Sequence, residues 1–328
     1  MRLLVLGGTG FLGREAVRAA RQAGWAVTTF NRGRGVDEPG VETVRGDRRL
    51  DEDLAPLAQS EFDCLIDTWA GAPEVVSRSA RLLASSVDRY CYVSSRAVYL
   101  PPTPAGMDES WPTVAASPEA GPAGYPADKR GGEMAVEEAF GERALLARAA
   151  LILGPGDESD RLTCWLRRAR QGGPMAVPGP PELPVRFVDV RDLASFLLAA
   201  LEAGLSGPVN LCNREGHTTM ASLMEAVTAV TGELAEPVWV TPEQVASART
   251  DRRVELPGWL PDEPELAGLV HTDVERAHAA GLSCRSARTT VEDTWAWSLA
   301  TSRFTEKGPL GLEPGRERHL LDMAGRPG

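Results

Sequence analysis

The first thirteen residues, Met1 to Gly13 (MRLLVLGGTGFLG), constrain the fold more than any other stretch. Arg2 to Leu6 is a short apolar run that suits a strand buried on both faces. It breaks at Gly7 and reopens as a segment in which Val17, Ala20 and Arg21 recur at helical spacing. Glycines stand at 7, 8, 10 and 13, so the loop reads G-x-x-G-x-x-G. Gly7 permits the tight turn, Gly10 admits a pyrophosphate close to the backbone, and Gly13 lets the helix pack against the strand. Phosphates then rest on unpaired N–H groups at the positive end of the helix. Thr9, Phe11 and Leu12 complete this candidate nucleotide loop. A bare glycine triplet also fits a plain strand-turn-helix. Here it stands between a strand and a helix, with a second strand following, which is the context a dinucleotide site requires.

The first half of the chain alternates between the two periodicities. Strands are expected at Ala26–Phe30, Glu42–Arg45, Asp63–Asp67, Arg89–Ser94 and Ala144–Ala149. Helices are expected at Gly10–Gln22, Asp51–Gln59, Pro73–Ser85 and Tyr125–Phe140. That alternation predicts an α/β fold, a doubly wound parallel sheet with helices on both faces and ligands beyond the carboxyl ends of the strands. After Gly154 the rhythm breaks in a loop crowded with prolines, and a second, smaller lobe is expected. Phe187 to Leu201 reads as a strand and an apolar helix returning to the first lobe. The expected division is 1–155 with about 185–203 for the nucleotide lobe, 156–184 and 204–300 for the substrate lobe, and 301–328 as a peripheral tail.

A chain of 328 residues can bury a large core. Its net charge of −11 argues against a broad nucleic-acid or anionic-membrane surface. No segment approaches the length of a membrane span, and a strand starting at residue 2 leaves no room for a signal peptide. The five cysteines are scattered, odd in number and without a C-x-x-C, as in a reduced cytoplasmic protein. The four histidines show no ligand spacing, so no metal is expected.

Chemistry concentrates at the strand ends. Asn31-Arg32-Gly33-Arg34 ends the second strand, where an acidic residue would grip a ribose 2′-hydroxyl and an arginine suits a 2′-phosphate. Asn31 is neutral, and Arg32 and Arg34 offer forked donors, which favours NADP(H), with NAD the alternative. Asp47, ending the third strand, either accepts from an adenine amino group or caps the helix that follows. Thr68, Trp69 and Ala70 end the fourth strand beside the cofactor's second half. The fifth strand ends Ser94-Ser95-Arg96-Ala97-Val98-Tyr99. Tyr125 and Lys129 stand one helical turn apart on a shared face. A lysine ammonium beside a tyrosine favours the phenolate, and a serine hydroxyl can hold the substrate oxygen while the phenol exchanges its proton.

Gly7–Gly13, Val93–Tyr99, Tyr125–Lys129 and Leu151–Gly156 together resemble the extended short-chain dehydrogenase/reductases, the NAD-dependent epimerase/dehydratase family. The resemblance runs to about residue 300. It implies a Rossmann lobe with a small C-terminal substrate lobe, a nicotinamide cofactor and a Ser-Tyr-Lys catalytic set. Counting back four from Tyr99 gives Ser95 as the serine, with Lys129 and Tyr125 also touching the cofactor. Family members are often dimers through the helices flanking the fourth and fifth strands, which implies a homodimer. Arg96 and Ala97 replace the Asp-Glu pair of the sugar-nucleotide dehydratases, which argues against that reaction. Arg148-Ala149 departs from the usual Arg-Pro, and Asn-Arg-Gly after the second strand looks like a divergent, reductase-like subgroup.

On the substrate side, Arg96, Trp165 and Arg186 are the candidate binding residues for a small molecule; Trp165 and Arg186 are equally readable as structural. The leading expectation is an NADP(H)-dependent oxidoreductase acting on a carbonyl or secondary alcohol. An epimerase working through transient oxidation with a tightly held cofactor is the alternative. A non-catalytic redox-sensing or RNA-binding relative is disfavoured by the retained Tyr-Lys pair, and RNA binding also by the net charge.

Overall fold

The computed structural model describes residues 1–261, 263–301, 308 and 310–325, apart from the side chains of Arg252 and Arg253. Eleven strands occur among them: β1 (Arg2–Leu6), β2 (Ala26–Asn31), β3 (Glu42–Arg45), β4 (Phe62–Asp67), β5 (Val87–Ser95), β6 (Ala144–Ala149), β7 (Leu151–Leu153), β8 (Gly173–Pro178), β9 (Phe187–Asp189), β10 (Gly207–Leu211) and β11 (Ala235–Val240). Seven of them form one parallel sheet in the order β10-β6-β5-β4-β1-β2-β3. The order reverses at β1, whose neighbours are β4 and β2, and a crevice opens beyond the carboxyl ends there.

Both faces of this sheet are buried, and strand alternation divides its residues between them. Leu3 and Val5 point into the core under α1 (Phe11–Gln22) and the later helix Val190–Glu202. Leu4 and Leu6 point into the opposite core, shared with Tyr90, Tyr92, Val136 and Phe140. On that side α2 (Asp51–Leu54) precedes α3 (Pro73–Leu83), which packs against α4 (Tyr125–Phe140). The helix expected over 51–59 is broken: Pro56, without an N–H, follows its first turn, and Leu57–Gln59 winds as a separate 3₁₀ turn.

The second lobe has its own core, in which α5 (Thr163–Gln171) and the helix Met220–Val230 pack with the parallel pair β8 and β11. Two boundaries differ from the sequence reading. β10 lies beyond the 185–203 return segment yet pairs with β6 as the sheet's edge strand, a place where Pro208 costs no ladder bond that matters. Ala277 and Leu282 also enter the nucleotide lobe's core, so 204–300 does not belong wholly to the substrate lobe. The tail is not peripheral where it is described: the helix Pro314–Met323 buries Leu320 and Leu321 in the second core, and Glu317 receives Arg168 Nε at 2.7 Å. The rest of that expectation, at 302–307, 309 and 326–328, lies outside the described residues.

Candidate active site

The glycine loop is built as its spacing requires. Gly7 takes φ +99°, a conformation that side chains disfavour, and its N–H donates to Phe30 O at 3.0 Å. A Cβ on Gly13 would stand 2.3 Å from Gly7 O, so only glycine lets α1 approach the loop so closely. Gly10 differs. A Cβ there would meet only Gly7 O, at an ordinary 3.7 Å, so nothing inside the protein demands a bare backbone. It caps α1 without any side-chain bond and no acid sits in the first turn, leaving N–H groups for a phosphate. Leu12 and Gly13 are buried within the helix.

A cleft of about 280 Å³ follows the crevice. Its near end is formed by Gly7, Thr9 and Gly10, and its far end by Asn31, Arg32, Arg34 and Asp47. Thr68, Trp69 and Ala70 close the side at the end of β4. Ten residues expected at the cofactor therefore meet in one cleft, although they come from four strand ends.

The details refine several of them. Asn31 is buried, and its Oδ1 accepts from Gly33 N at 2.8 Å and from Arg45, while Nδ2 donates to Asp37 Oδ1 at 3.3 Å. It organises the loop, with Arg45 also pairing Asp37. Arg32 and Arg34 are exposed and make no ion pair among the described residues. Asp47 neither caps α2 nor stands unpartnered: Arg49 bonds its carboxylate and holds its pKa down to about 2. It is Asp53 that accepts from Asp47 N, at 2.7 Å.

Beneath the cleft lies a network absent from the sequence reading. Buried Arg48 donates to Asp67 Oδ2 at 2.7 Å and to Ser79 Oγ at 2.9 Å, and Tyr90 OH donates to the same Asp67 oxygen at 2.7 Å. Burial pushes the Asp67 carboxyl up, but the guanidinium outweighs it and leaves the group ionised. An Arg and an Asp nineteen positions apart carry no spacing signal.

Two of the three catalytic candidates, Ser95 and Tyr125 but not Lys129, line a second cavity of about 540 Å³. So does Phe11, next in sequence to Gly10 of the nucleotide cleft. The start of α1 thus contributes to both cavities, Gly10 to one and Phe11 to the other. Ser95 Oγ accepts from Ala97 N at 3.2 Å, while Ser94 is buried and does not line the cavity. Tyr125 opens α4 and is half exposed. The helix start is set by Gly124 at φ +103°, Pro126 in the first turn and Asp128, whose Oδ1 accepts from Ala123 N at 2.7 Å. Gly132 lets α4 lie against the sheet, since a Cβ there would be 2.5 Å from the Tyr92 hydroxyl.

Lys129, one turn on, is buried. Its Nζ donates to Trp69 O and Val93 O, both at 2.6 Å, and sits 4.8 Å from the Tyr92 ring centroid. Burial lowers its pKa to about 8. Arg96 and Arg186 also line the Ser95–Tyr125 cavity. Trp165 does not. It is buried in the second lobe's core, its Nε1 donating to Pro257 O at 2.9 Å, so it backs the cavity wall rather than facing the interior. Sequence reasoning missed the wall from 257 to 269, including Trp259, Leu266 and Leu269, because the elements there are short and irregular.

Among the described residues no cluster of three or more His, Cys, Asp and Glu could hold a metal, and no helix is long and apolar enough to cross a membrane. All five cysteines are unbridged, and burial raises Cys64 and Cys284 to about 12.

Comparison with known proteins agrees with this architecture. The ceramide reductase of Caulobacter vibrioides (strain NA1000 / CB15N) is 28% identical over 284 residues, spanning 82% of this chain and 84% of its own. The enzyme WbmH of Bordetella bronchiseptica, solved in complex with NAD+, superposes with a TM-score of 0.68 at 18% identity, covering 91% of this chain and 98% of that one. UDP-glucuronic acid 4-epimerase from Bacillus cereus, solved in complex with NAD, gives 0.66 at 16% identity, with 92% and 99% covered. The model of the NAD dependent epimerase/dehydratase family matches residues 3–212. The chain belongs to the NAD-dependent epimerase/dehydratase family of enzymes.

Proposed function

We propose that the protein is an NADP(H)-dependent oxidoreductase that interconverts a carbonyl and a secondary alcohol of a small molecule. The observation that carries this reading is that neighbouring residues at the start of α1 line two cavities, Gly10 the one bearing the glycine loop and Phe11 the one bearing Ser95 and Tyr125. A dinucleotide laid along the first cavity from Arg32 and Arg34 presents its nicotinamide end to the second. When bound, that group supplies or takes a hydride.

The chain's own residues do the rest. The Ser95 hydroxyl donates a hydrogen bond to the substrate oxygen. The Tyr125 phenol gives that oxygen its proton in reduction and removes it in oxidation. Lys129 spends two donors on Trp69 O and Val93 O and keeps a third for a ribose hydroxyl. Arg32 and Arg34 are exposed, which leaves their forks open to a 2′-phosphate. Net reduction, rather than epimerisation, is supported by the reductase among the relatives, while Arg96 standing where the dehydratases carry an acid speaks against dehydration.

The test is net turnover. Purified protein should oxidise free NADPH on a panel of small ketones and keto acids, read as loss of nicotinamide absorbance. A protein that keeps its nicotinamide bound and only scrambles a stereocentre is an epimerase instead.

A further inference from the structure

Among the described residues four arginines are buried: Arg48, Arg96, Arg148 and Arg186. Two are neutralised in place. Arg48 pairs with Asp67, and Arg148 Nε and Nη2 each reach Glu133 at 2.9 Å. Arg96 and Arg186 have no carboxylate partner among the described residues, and these two line the same cavity.

They also stand side by side. Arg96 Nη1 donates to Leu269 O at 2.8 Å and to the Thr272 hydroxyl, and Arg186 Nη2 donates to Thr272 O at 3.1 Å. Burial, the largest effect, lowers the pKa of Arg96 and the Arg186 charge adds to that, opposed by Cys212 and Tyr99 and by no carboxylate. Arg96 Nε, Arg186 Nε and Nη1, and Trp259 Nε1 are buried without any hydrogen-bond partner. Among the residues lining this cavity, every unpartnered buried side-chain atom is a donor. Two adjacent buried cations without a counter-charge are costly, and an anion accepting from them removes both penalties at once.

We infer that this cavity takes a substrate carrying an oxyanion, a carboxylate or a phosphate, held by Arg96 with Arg186 close to the reacting carbonyl. The inference rests on the reading of this cavity as the substrate site. Arg96 follows Ser95 directly, so the anion and the oxygen addressed by Ser95 and Tyr125 belong to neighbouring parts of one small molecule. Leu151, Ile152 and Leu266 make part of the wall apolar, and Arg161, whose Nη1 stands 3.8 Å from Asp157 Oδ1, also lines it. The implied substrate is therefore an oxo or hydroxy compound with an acidic group near the reacting centre and an apolar remainder.

The experiment uses protein saturated with NADP+, which fills the phosphate sites of the nucleotide cleft. Cofactor binding is measured first: if no nicotinamide nucleotide binds, the proposed function fails. With cofactor bound, malonate and inorganic phosphate are titrated separately against sodium chloride at matched ionic strength. At ten times its dissociation constant an anion should raise Tm by about 2–4 °C. Calorimetry should give one site per chain, and Arg96→Gln and Arg186→Gln should each abolish the rise. A response to malonate alone assigns a carboxylate, and one to phosphate alone a phosphoryl group. No response in the loaded wild type, or an equal response in the variants, overturns the inference and leaves the oxidoreductase reading standing. If Arg96→Gln does not fold, Arg186→Gln and the wild-type stoichiometry decide it.

Discussion

The nucleotide cleft and the second cavity draw on neighbouring residues, Gly10 and Phe11, but are finished differently. In the floor of the cleft, buried charge is matched: Arg48 has Asp67, Ser79 and Tyr90 around it. The unpaired cations of the cleft, Arg32 and Arg34, stand in water, where an uncompensated charge costs little. In the cavity the pattern inverts. Arg96 and Arg186 are as buried as Arg48 and have no carboxylate partner among the described residues. Matched buried charge holds a fold together; unmatched buried charge, stable only because the rest of the fold outweighs it, marks a place completed by a ligand.

The largest expected effect lies at the boundary of the two regions. Tyr125→Phe deletes proton transfer and touches no phosphate contact, so kcat/KM should fall about 10²–10⁴-fold with cofactor affinity within a few-fold. Turnover within tenfold of wild type would remove Tyr125 from the chemistry.

The comparison of buried arginines is broken or kept by stability. Asp67→Asn strips Arg48 of its counter-charge and should cost about 3–5 kcal/mol in urea unfolding. Arg96→Met removes a charge that no carboxylate among the described residues opposes and should cost clearly less. Equal losses would mean that Arg96 is a structural arginine like Arg48.

A smaller effect is expected from pH. Lys129 has its pKa lowered to about 8 by burial, so its charge is present below that pH and lost above it. Activity that depends on the ammonium should decline as pH rises through about 8, and Lys129→Arg should move that limb upward. The linkage to stability runs the other way. The folded pKa lies below the ordinary 10.5, so the cost of burying the charge is full below about 8 and is relieved as pH climbs toward 10.5. A kinetic profile flat from pH 7 to 9.5 would separate Lys129 from catalysis.

The same contrast explains what could be read from the sequence. β1, the glycine loop and α1 are contiguous, and Tyr125 and Lys129 share one helix, so local spacing exposes them. Asn31, Arg32 and Arg34 line the cleft from one strand end, but the grip of Arg45 on Asn31 and Asp37 follows from the pairing of β2 with β3. Arg96 and Leu269 are 173 positions apart, and no periodicity joins them. β10 was hidden because GPVNL is short and starts with Gly-Pro, acceptable only on a sheet edge. The burial of Leu320 and Leu321 was masked by the glycines and prolines around them.

The central claim, a nicotinamide nucleotide whose 2′-phosphate is gripped at the end of β2, is tested most directly by titrating NADPH and NADH against the protein by fluorescence. One or two charge-assisted bonds from Arg32 and Arg34 predict about 10- to 1000-fold tighter NADPH binding. Added salt should narrow the gap, and Arg32→Ala with Asn31→Asp should reverse it. Equal affinities, or tighter NADH, would contradict the account.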